Sequence, residues 1–309
     1  MIIASSSPYS LDGPMCISFS GGRSSAYMLY QILQAHGGQL PDDVVVCFAN
    51  TGKEMPQTLD FVQACSEQWG VTIVWLELSA VRLARQEGSK KFEYKTRVAD
   101  YATASRNGEP FEALIKARQY LPNPVARFCT ADLKVRRIND YLRGLGWDEW
   151  DTAVGIRADE PRRAHKMLGK SDNGEHKVLP LYWAGVTKET VAAYWKAQPF
   201  DLQLPNNNGT TDWGNCDLCF LKGAKKKLSI IREKPELADW WAAQERDPDG
   251  IEILPAYHDD DNKPHGERIV QTGGMKFRND QPSYAQMQAM AEEQYSFDFD
   301  DSISCFCGD

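Results

Sequence analysis

The residues best suited to chemistry in this sequence form a glycine- and serine-rich loop that follows an apolar run. The run MCISF at residues 15–19 stops at SGGRSS, and a helix-forming segment begins directly afterwards. Glycines let backbone N–H groups approach a ligand, and a helix N-terminus adds about half a positive charge. We therefore predict a phosphate cradle. Its members are Ser20, Gly21, Gly22, Arg23, Ser24 and Ser25.

This loop differs from the two best-known phosphate-binding patterns. It lacks the Lys-Ser/Thr ending of a Walker loop, and it is not GxGxxG. Taken alone, the motif therefore leaves open a second interpretation, a glycine turn between a strand and a helix that binds no ligand.

Eight cysteines form the second set of candidates. Cys16 and Cys47 lie in strand-like runs and Cys65 in a helix-like one, so we interpret these three as small buried hydrophobic residues. In a reducing compartment the other five indicate metal or redox chemistry rather than disulfides. They are Cys129, Cys216, Cys219, Cys305 and Cys307.

Length and composition restrict the class of protein. The chain has 309 residues, enough for two domains or one large α/β domain, and its formal net charge of −8 disfavours a protein that coats nucleic acid. No apolar run approaches the ~20 residues needed to span a bilayer. The N-terminus lacks the features of a secretory signal. We therefore expect a cytoplasmic protein without membrane association.

Alternating strand and helix patterns must position the loop. Apolar runs at 44–50 and 72–78 are typical of buried parallel strands, and a helix pattern precedes each run. This order predicts a doubly wound parallel α/β sheet, whose ligands bind at the C-terminal ends of the strands. We expect a nucleotide-binding domain at 1–200 with a helical insertion at about 80–126, and a cysteine-bearing C-terminal extension at 201–309.

Five segments, taken in order, resemble the phosphoadenosine phosphosulfate (PAPS) reductase family of the PP-loop ATP-pyrophosphatase superfamily. They are SFSGGRSS, FANTGKEMPQT, RFCTADLK, GIRADEPRR and PLYWAGVTKETVAAYW. The resemblance implies an adenine nucleotide alpha-hydrolase-like, Rossmann-like fold that binds ATP with Mg²⁺ or a phosphosulfate. One departure is Ser24, which stands where the superfamily loop SGGxDS has an aspartate.

The resemblance also implies roles at the strand ends. Arg157 and Arg163 would make planar, charge-assisted contacts to phosphate or sulfate oxygens. Glu160 would orient an arginine or a metal-bound water, and a plain salt-bridged loop is the alternative. The residues expected near the adenosine or the Mg²⁺ are Thr51, Gly52, Glu54 and Gly155.

Iron–sulfur members of this family carry a Cys-Cys pair followed by a CxxC; here the first cysteine of the pair is missing. Cys129 precedes Cys216 by 87 residues, close to the family spacing. The resemblance therefore implies a [4Fe-4S] cluster on Cys129, Cys216 and Cys219 with one open iron. Alternatively, Cys305 or Cys307 supplies a fourth thiolate, and Zn²⁺ then fits equally well.

The resemblance implies a catalytic role for a cysteine near the C-terminus, because PAPS reductases attack the phosphosulfate with a tail cysteine. Cys307 is the candidate, although its acidic neighbours would raise the pKa of its thiol. We expect an ATP-pyrophosphatase whose adenylation step is linked to sulfur transfer from a sulfur donor or thiol reductant. A nucleic acid, nucleobase or small molecule could be the acceptor, and a homo-oligomer is compatible with the sequence. The alternatives are a sulfonucleotide reductase that releases sulfite and an adenine-nucleotide-binding module without turnover.

Overall fold

The computed structural model describes residues 7–11, 13–86, 89–169, 171–172, 174–207, 209–245, 251–254, 257–258, 264–265, 268–271 and 274–293. Within these ranges no helix is both long enough and apolar enough to cross a bilayer. The described residues of 1–117 and 127–219 form one compact unit, and those of 118–126 and 220–303 form a second. The predicted boundary at residue 200 stays a prediction, and the CxxC turn belongs to the first unit.

Among the described residues, the first unit is built on a sheet of seven strands. They are β1 (Met15–Ser18), β2 (Val44–Ala49), β3 (Ile73–Gln86), β4 (Ser89–Ala99), β5 (Trp150–Val154), β6 (Ser171–Asp172) and β7 (Glu175–Val178). Their order across the sheet is β4-β3-β2-β1-β5-β7-β6. Five neighbouring strands, β3 to β7 through β1, are parallel, and the outer strands β4 and β6 are antiparallel. The predicted α/β class is confirmed, with these two antiparallel edges added.

The central strands are apolar because both faces of the sheet are covered. Cys16 of β1 and Cys47 of β2 are fully buried, and they pack in one cluster with Leu76, Leu142 and Trp150. Cys65 is also fully buried. The interpretation of Cys16, Cys47 and Cys65 as core residues is therefore confirmed, and burial raises the pKa of the Cys65 thiol well above its usual range.

Helices connect the strands of the first unit. They are α1 (Arg23–Ala35), α2 (Pro56–Trp69), α3 (Glu109–Arg118), α4 (Arg136–Gly144), α5 (Pro161–Met167), α6 (Pro180–Trp183) and α7 (Lys188–Lys196), with a π-helical turn at Thr130–Val135 that runs into α4. α2 begins with Pro56 at a position where a missing N–H costs nothing, and it ends at Gly70 in the left-handed conformation.

The expectation of a helical insertion at about 80–126 is wrong for its first part. β3 continues to Gln86, and β4 returns alongside it from Ser89. Helix α3 is the helical part of this stretch that the structure describes. The strands were hidden in the sequence because their residues are polar and their stability comes from pairing with each other, which local periodicity does not reveal.

The second unit contains the helices α8 (Ala224–Glu233), α9 (Leu237–Gln244) and α10 (Tyr284–Glu292), together with short strands β8 (Ile251–Leu254), β9 (Tyr257–His258), β10 (Pro264–His265) and β11 (Arg268–Gln271). Its core is aromatic: Trp241 stacks on Tyr284 at 5.4 Å between ring centroids. The buried ammonium of Lys227 lies 4.9 Å from the centre of the Tyr284 ring, a cation–π contact that offsets its loss of hydration.

Candidate functional site

The SGGRSS loop connects β1 to α1 and adopts a shape that its glycines require. Gly21 has a φ of +78°, and a Cβ added there would lie 2.7 Å from Cγ2 of Thr58. Ser25 fixes the loop from inside, because its hydroxyl accepts from the N–H of Ser20 at 3.2 Å and donates to the carbonyl of Gly22 at 3.0 Å. The two serine hydroxyls are 2.9 Å apart.

The beginning of α1 is suited to an anion. Gly22 precedes the helix in an extended conformation and supplies no side-chain cap, and the first turn contains no acidic residue. Backbone N–H groups of this described turn therefore point toward the space above the loop, with the helix dipole behind them. This arrangement provides the donors that a phosphate group needs.

Two arginines after β5 extend the cationic surface. The guanidinium of Arg157 donates to the hydroxyl of Ser24 at 2.8 Å, and its backbone N–H donates to Glu160 at 3.1 Å. The other oxygen of Glu160 accepts from Arg163. Glu160 thus contacts the guanidinium of Arg163 and the backbone of Arg157, whereas the Arg157 guanidinium donates to Asp159 at 3.1 Å and lies 3.6 Å from Glu160. The orienting role expected for Glu160 stays a prediction.

Arg163 has unused hydrogen-bonding capacity. Its Nε and Nη2 atoms are buried and make no hydrogen bond in the described structure. Buried donors cost free energy unless they find a partner, so this guanidinium edge is ready to receive an oxyanion.

Arg23 contributes its backbone to the loop, whereas its side chain points elsewhere. The guanidinium makes a two-pronged ion pair with Asp201, at 2.7 and 2.8 Å, and also donates to the carbonyl of Leu202 at 2.6 Å. The indole N–H of Trp195 donates to the Arg23 carbonyl at 3.0 Å. The side chain therefore holds the 201–202 segment in place rather than facing the cradle.

The second predicted segment, TGKE, lies at the end of β2. One oxygen of Glu54 accepts from the N–H and the hydroxyl of Thr51, both at 2.9 Å. The other oxygen is buried without a hydrogen bond and lies 3.7 Å from the ammonium of Lys134. Gly52 has a φ of +77°, and its neighbours leave no room for a side chain.

The CxxC turn packs directly on this segment. Cys216 forms an isolated antiparallel bridge with Glu54, and its Sγ lies 3.5 Å from the Thr51 hydroxyl. The N–H of Asp217 donates to the carbonyl of Lys53 at 2.8 Å, and the side chains of these two residues form a buried ion pair at 2.9 Å. The Cys216 thiol therefore lies at the edge of the sheet that carries the SGGRSS loop.

Cys129 lies just before the π-helical turn, and its charge when ionised makes a small contribution that raises the pKa of the Cys216 thiol. Burial, and then the carboxylate of Glu54, raise the pKa of the Cys216 thiol well above its usual range, and Lys134 opposes this. No three potential ligands among the described residues meet closely enough to hold a metal ion. The predicted fourth ligand Cys305 and the predicted nucleophile Cys307 lie outside the described residues.

Two clefts contain residues that the sequence did not indicate. One, above the phosphate loop, is lined by Thr58 and by the 209–215 segment. The other is a cavity of about 110 Å³ between β1, β5 and α4, and it touches both Ser20 and Ser25. Oδ1 of Asn139 is buried beside this second cavity without a hydrogen bond. Gly155 also lines it, and a Cβ there would lie 3.0 Å from the Cα of Ser25.

Two phage proteins are similar to this chain in sequence. Nin region protein ORF290 of Escherichia phage lambda is 33% identical over 212 residues, which cover 68% of this chain and 67% of that protein. A 37.8 kDa protein from the gpa 5′ region of Escherichia phage 186 is 26% identical over 189 residues, 54% of each chain.

Two solved structures are similar in fold at low sequence identity. A PAPS reductase from Candida auris, in complex with phosphate, is 15% identical with a TM-score of 0.35, covering 62% of this chain and 78% of that one. The U34-tRNA thiolase NcsA from Methanococcus maripaludis, with its [4Fe-4S] cluster, is 14% identical with a TM-score of 0.39, covering 74% and 67%. The family model for the phosphoadenosine phosphosulfate reductase domain matches residues 14–203, which include the SGGRSS loop, the TGKE segment, Arg157 and Arg163. The chain therefore belongs to the phosphoadenosine phosphosulfate reductase domain family.

Proposed function

We propose that this protein binds ATP at the SGGRSS loop and couples adenylation of an acceptor to sulfur transfer. One observation supports the proposal above others: an oxyanion site and a thiol lie on the same edge of the sheet. The oxyanion site includes the two buried, unused donors of Arg163, and the thiol is that of Cys216 beside Thr51. Parallel sheets bind their ligands at this edge.

In the first step, an oxygen of the acceptor attacks the α-phosphorus of ATP, and the bond to pyrophosphate breaks. Negative charge develops on the phosphate oxygens and on the leaving pyrophosphate. The N–H groups at the start of α1 and the guanidinium groups of Arg157 and Arg163 are fixed donors for that charge. Glu160 keeps both arginines in position. The adenosine would occupy the cavity beside Asn139, which touches the loop at Ser20 and Ser25.

In the second step, the outer sulfur of a persulfide donor displaces AMP from the adenylated acceptor, so that a C–S bond forms and the C–O bond to AMP breaks. A thiol reductant then attacks the donor's inner sulfur and breaks the S–S bond, so that the thiolated acceptor leaves, the donor and the reductant form a disulfide, and the reductant supplies the two electrons. The thiol of Cys216 lies 3.5 Å from the Thr51 hydroxyl at this edge, and Cys219 belongs to the same turn, in which its N–H donates to the Cys216 carbonyl at 3.3 Å. We propose that they receive or deliver the sulfur.

Two metal groups belong to the proposal. Mg²⁺ would enter with ATP, and the Glu54 oxygen that lacks a hydrogen bond is a suitable hard ligand. A [4Fe-4S] cluster or Zn²⁺ would use the thiolates of Cys129, Cys216 and Cys219. The donor types suit such a centre, but these side chains do not close around a metal position in the described residues. No step above is therefore assigned to it.

A sulfonucleotide reductase is the second candidate, and Ser24 is the residue that favours it, since the loop lacks the aspartate of the ATP-cleaving members. In that reaction a thiolate attacks the sulfur of the phosphosulfate and releases the adenosine bisphosphate. A second thiol then displaces sulfite, so the dithiol is oxidised to a disulfide and supplies both electrons. A binding module without turnover is the third candidate and rests on the same serine.

The test is to incubate the anaerobically purified protein with ATP and Mg²⁺, or with PAPS and a dithiol, and to measure pyrophosphate and sulfite. Release of pyrophosphate from ATP supports the proposal, sulfite from PAPS supports the reductase, and tight binding without either product supports the module. Arg163→Met should abolish the observed product. The matched substitution Arg232→Met, at an exposed position of α8, should leave it unchanged. Equal rates in both variants would mean that Arg163 is not in the site.

A further inference from the structure

The β3–β4 pair extends beyond the rest of the sheet. β3 pairs with β2 from Ile73 to Leu76, opposite the last residues of β2. Its pairing with β4 continues from Trp75–Ala99 as far as Gln86–Ser89, with an irregularity between Leu78 and Ala80. Because β3 is parallel to β2, this two-stranded ribbon leaves the sheet at the C-terminal edge, where the phosphate loop lies. Its eight residues per strand correspond to a length of about 25 Å.

The ribbon is basic in an acidic protein. Residues 79–99 contain six basic and two acidic residues, a net charge of +4, whereas the whole chain carries −8. The six are Arg82, Arg85, Lys90, Lys91, Lys95 and Arg97. Arg97, at the base, is exposed and pairs with the buried carboxylate of Glu77, and Lys95 is also exposed.

A second basic element packs against the ribbon. Residues 127–143, the π-helical turn and most of α4, contain five basic and two acidic residues. Arg136 and Arg137 lie 5.5 and 5.6 Å from the centre of the Tyr94 ring of β4. The Tyr94 hydroxyl donates to Asp132 at 3.1 Å, and the side chain of Arg136 is half exposed. The two stretches together carry +7, so the remaining residues carry −15.

We propose that the β3–β4 ribbon, together with α4, is a docking surface for duplex DNA, which it binds through the phosphate backbone. Lysine and arginine side chains along an extended element neutralise successive phosphates. A two-stranded β-ribbon has the width of the major groove of B-DNA, whereas the major groove of A-form RNA is too narrow for it. The acidic remainder of the protein would repel DNA and restrict contact to this surface. The inference goes beyond the proposed function, because binding can be measured without ATP or turnover.

The test uses the full-length protein and a fluorescent 30-base-pair duplex, with anisotropy measured over a range of salt concentrations and no nucleotide. We expect binding that weakens with salt, with a slope of log K against log salt of about −4 for four or five phosphate contacts. The variant Lys90→Gln/Lys91→Gln/Lys95→Gln should bind at least tenfold more weakly at low salt, with a slope smaller by about 3. The matched control removes three lysines elsewhere, Lys116→Gln/Lys196→Gln/Lys225→Gln, and should bind within twofold of the original protein.

A second measurement keeps the proposal testable if the ribbon variant folds poorly. Hydrogen exchange of the unmodified protein should slow at 79–99 and 130–143 when the duplex is added. The proposal is overturned if the protein does not bind the duplex, or if the control triple variant loses as much affinity as the ribbon variant. It is also overturned by tighter binding to an RNA duplex of the same sequence, or if added DNA protects other segments and leaves the ribbon unchanged.

Discussion

The Ser24 hydroxyl accepts a hydrogen bond of 2.8 Å from the guanidinium of Arg157. The loop residue that distinguishes this chain from the SGGxDS pattern therefore contacts the GIRADEPRR segment directly. An aspartate at this position would form an ion pair with Arg157 and cancel its charge. The guanidinium already pairs with Asp159 at 3.1 Å and lies 3.6 Å from Glu160, and the neutral serine adds no further negative charge that would oppose an oxyanion.

This contact predicts a graded response of nucleotide affinity to substitution. Ser24→Ala removes one charge-assisted hydrogen bond and should weaken the binding of ATP, measured without Mg²⁺, about fivefold, or about 1 kcal/mol. Ser24→Asp places a carboxylate in the cradle and should weaken the binding of ATP about 100-fold, or about 2.7 kcal/mol. Titration calorimetry measures both values. The control is Ser229→Asp on the exposed side of α8. If Ser24→Asp binds ATP as tightly as the original protein, the phosphate does not lie beside Arg157.

Gly21→Ala should destabilise the protein more than the same substitution at an ordinary glycine in the left-handed conformation. The backbone conformation costs an alanine about 1–2 kcal/mol, and the 2.7 Å approach to Thr58 should add about 1–3 kcal/mol. Gly38→Ala is the matched control, since Gly38 has a φ of +90° with nothing within 4 Å of its added Cβ. Urea unfolding gives both free energies. Equal losses of stability would show that crowding at Gly21 is relieved easily.

The arginine segment was expected from the family resemblance, whereas the local sequence was sufficient to predict the loop and the buried strands β1 and β2. Each is a short pattern whose geometry is set by neighbouring residues: an apolar run, two glycines, then a helix. The same reasoning placed the core cysteines correctly, because burial follows from apolar periodicity.

What the sequence could not show depends on pairing between distant residues. The ribbon forms because β3 and β4 pair with each other, and the CxxC turn reaches the site through a bridge between Glu54 and Cys216. Asn139 was not among the residues singled out from the sequence, and its place beside a cavity follows from the packing of α4. Nor does local sequence indicate that Arg23 pairs with Asp201, 178 residues away.

Replacing one member of the Lys53–Asp217 ion pair should destabilise the fold strongly, whereas replacing both should destabilise it only weakly. Both side chains are more than nine-tenths buried. Asp217→Leu removes the carboxylate that neutralises the buried Lys53 and should cost about 3–5 kcal/mol. The double variant Lys53→Met/Asp217→Leu should recover most of that loss, since no buried charge then lacks its counterion. Denaturant unfolding of the two single variants and the double variant completes the cycle. Additive losses would mean that the two charges do not interact energetically.

Metal content should depend on the CxxC turn. After anaerobic purification we expect bound iron with inorganic sulfide, or zinc. The variants Cys216→Ser and Cys219→Ser should each lose the bound metal, because the remaining thiolates are too few to hold it. Cys65→Ala is the control, since Cys65 is buried in α2 away from the turn. Elemental analysis of the four proteins decides the matter. Full metal content in both CxxC variants would exclude these residues as ligands.

Asn139 should determine which purine the cavity accepts. Its Oδ1 is buried beside the cavity without a hydrogen bond, and the cavity touches the phosphate loop at Ser20 and Ser25. The 6-amino group of adenine would donate to this oxygen, whereas the 6-oxo group of hypoxanthine would place a second acceptor against it. A missing or repelled partner of this kind costs about 1–3 kcal/mol, so ATP should bind about 10- to 100-fold more tightly than inosine triphosphate.

Two substitutions separate this role of Asn139 from a general effect on packing. Asn139→Asp keeps an acceptor oxygen and should retain the preference for ATP over inosine triphosphate, although its negative charge should weaken both nucleotides. Asn139→Leu removes the acceptor and should bring the two dissociation constants within about threefold of each other. The measured quantity is the ratio of the two constants for each variant, which cancels losses common to both nucleotides. If Asn139→Leu keeps the original ratio, the base does not bind beside α4, and the cavity serves another part of the substrate.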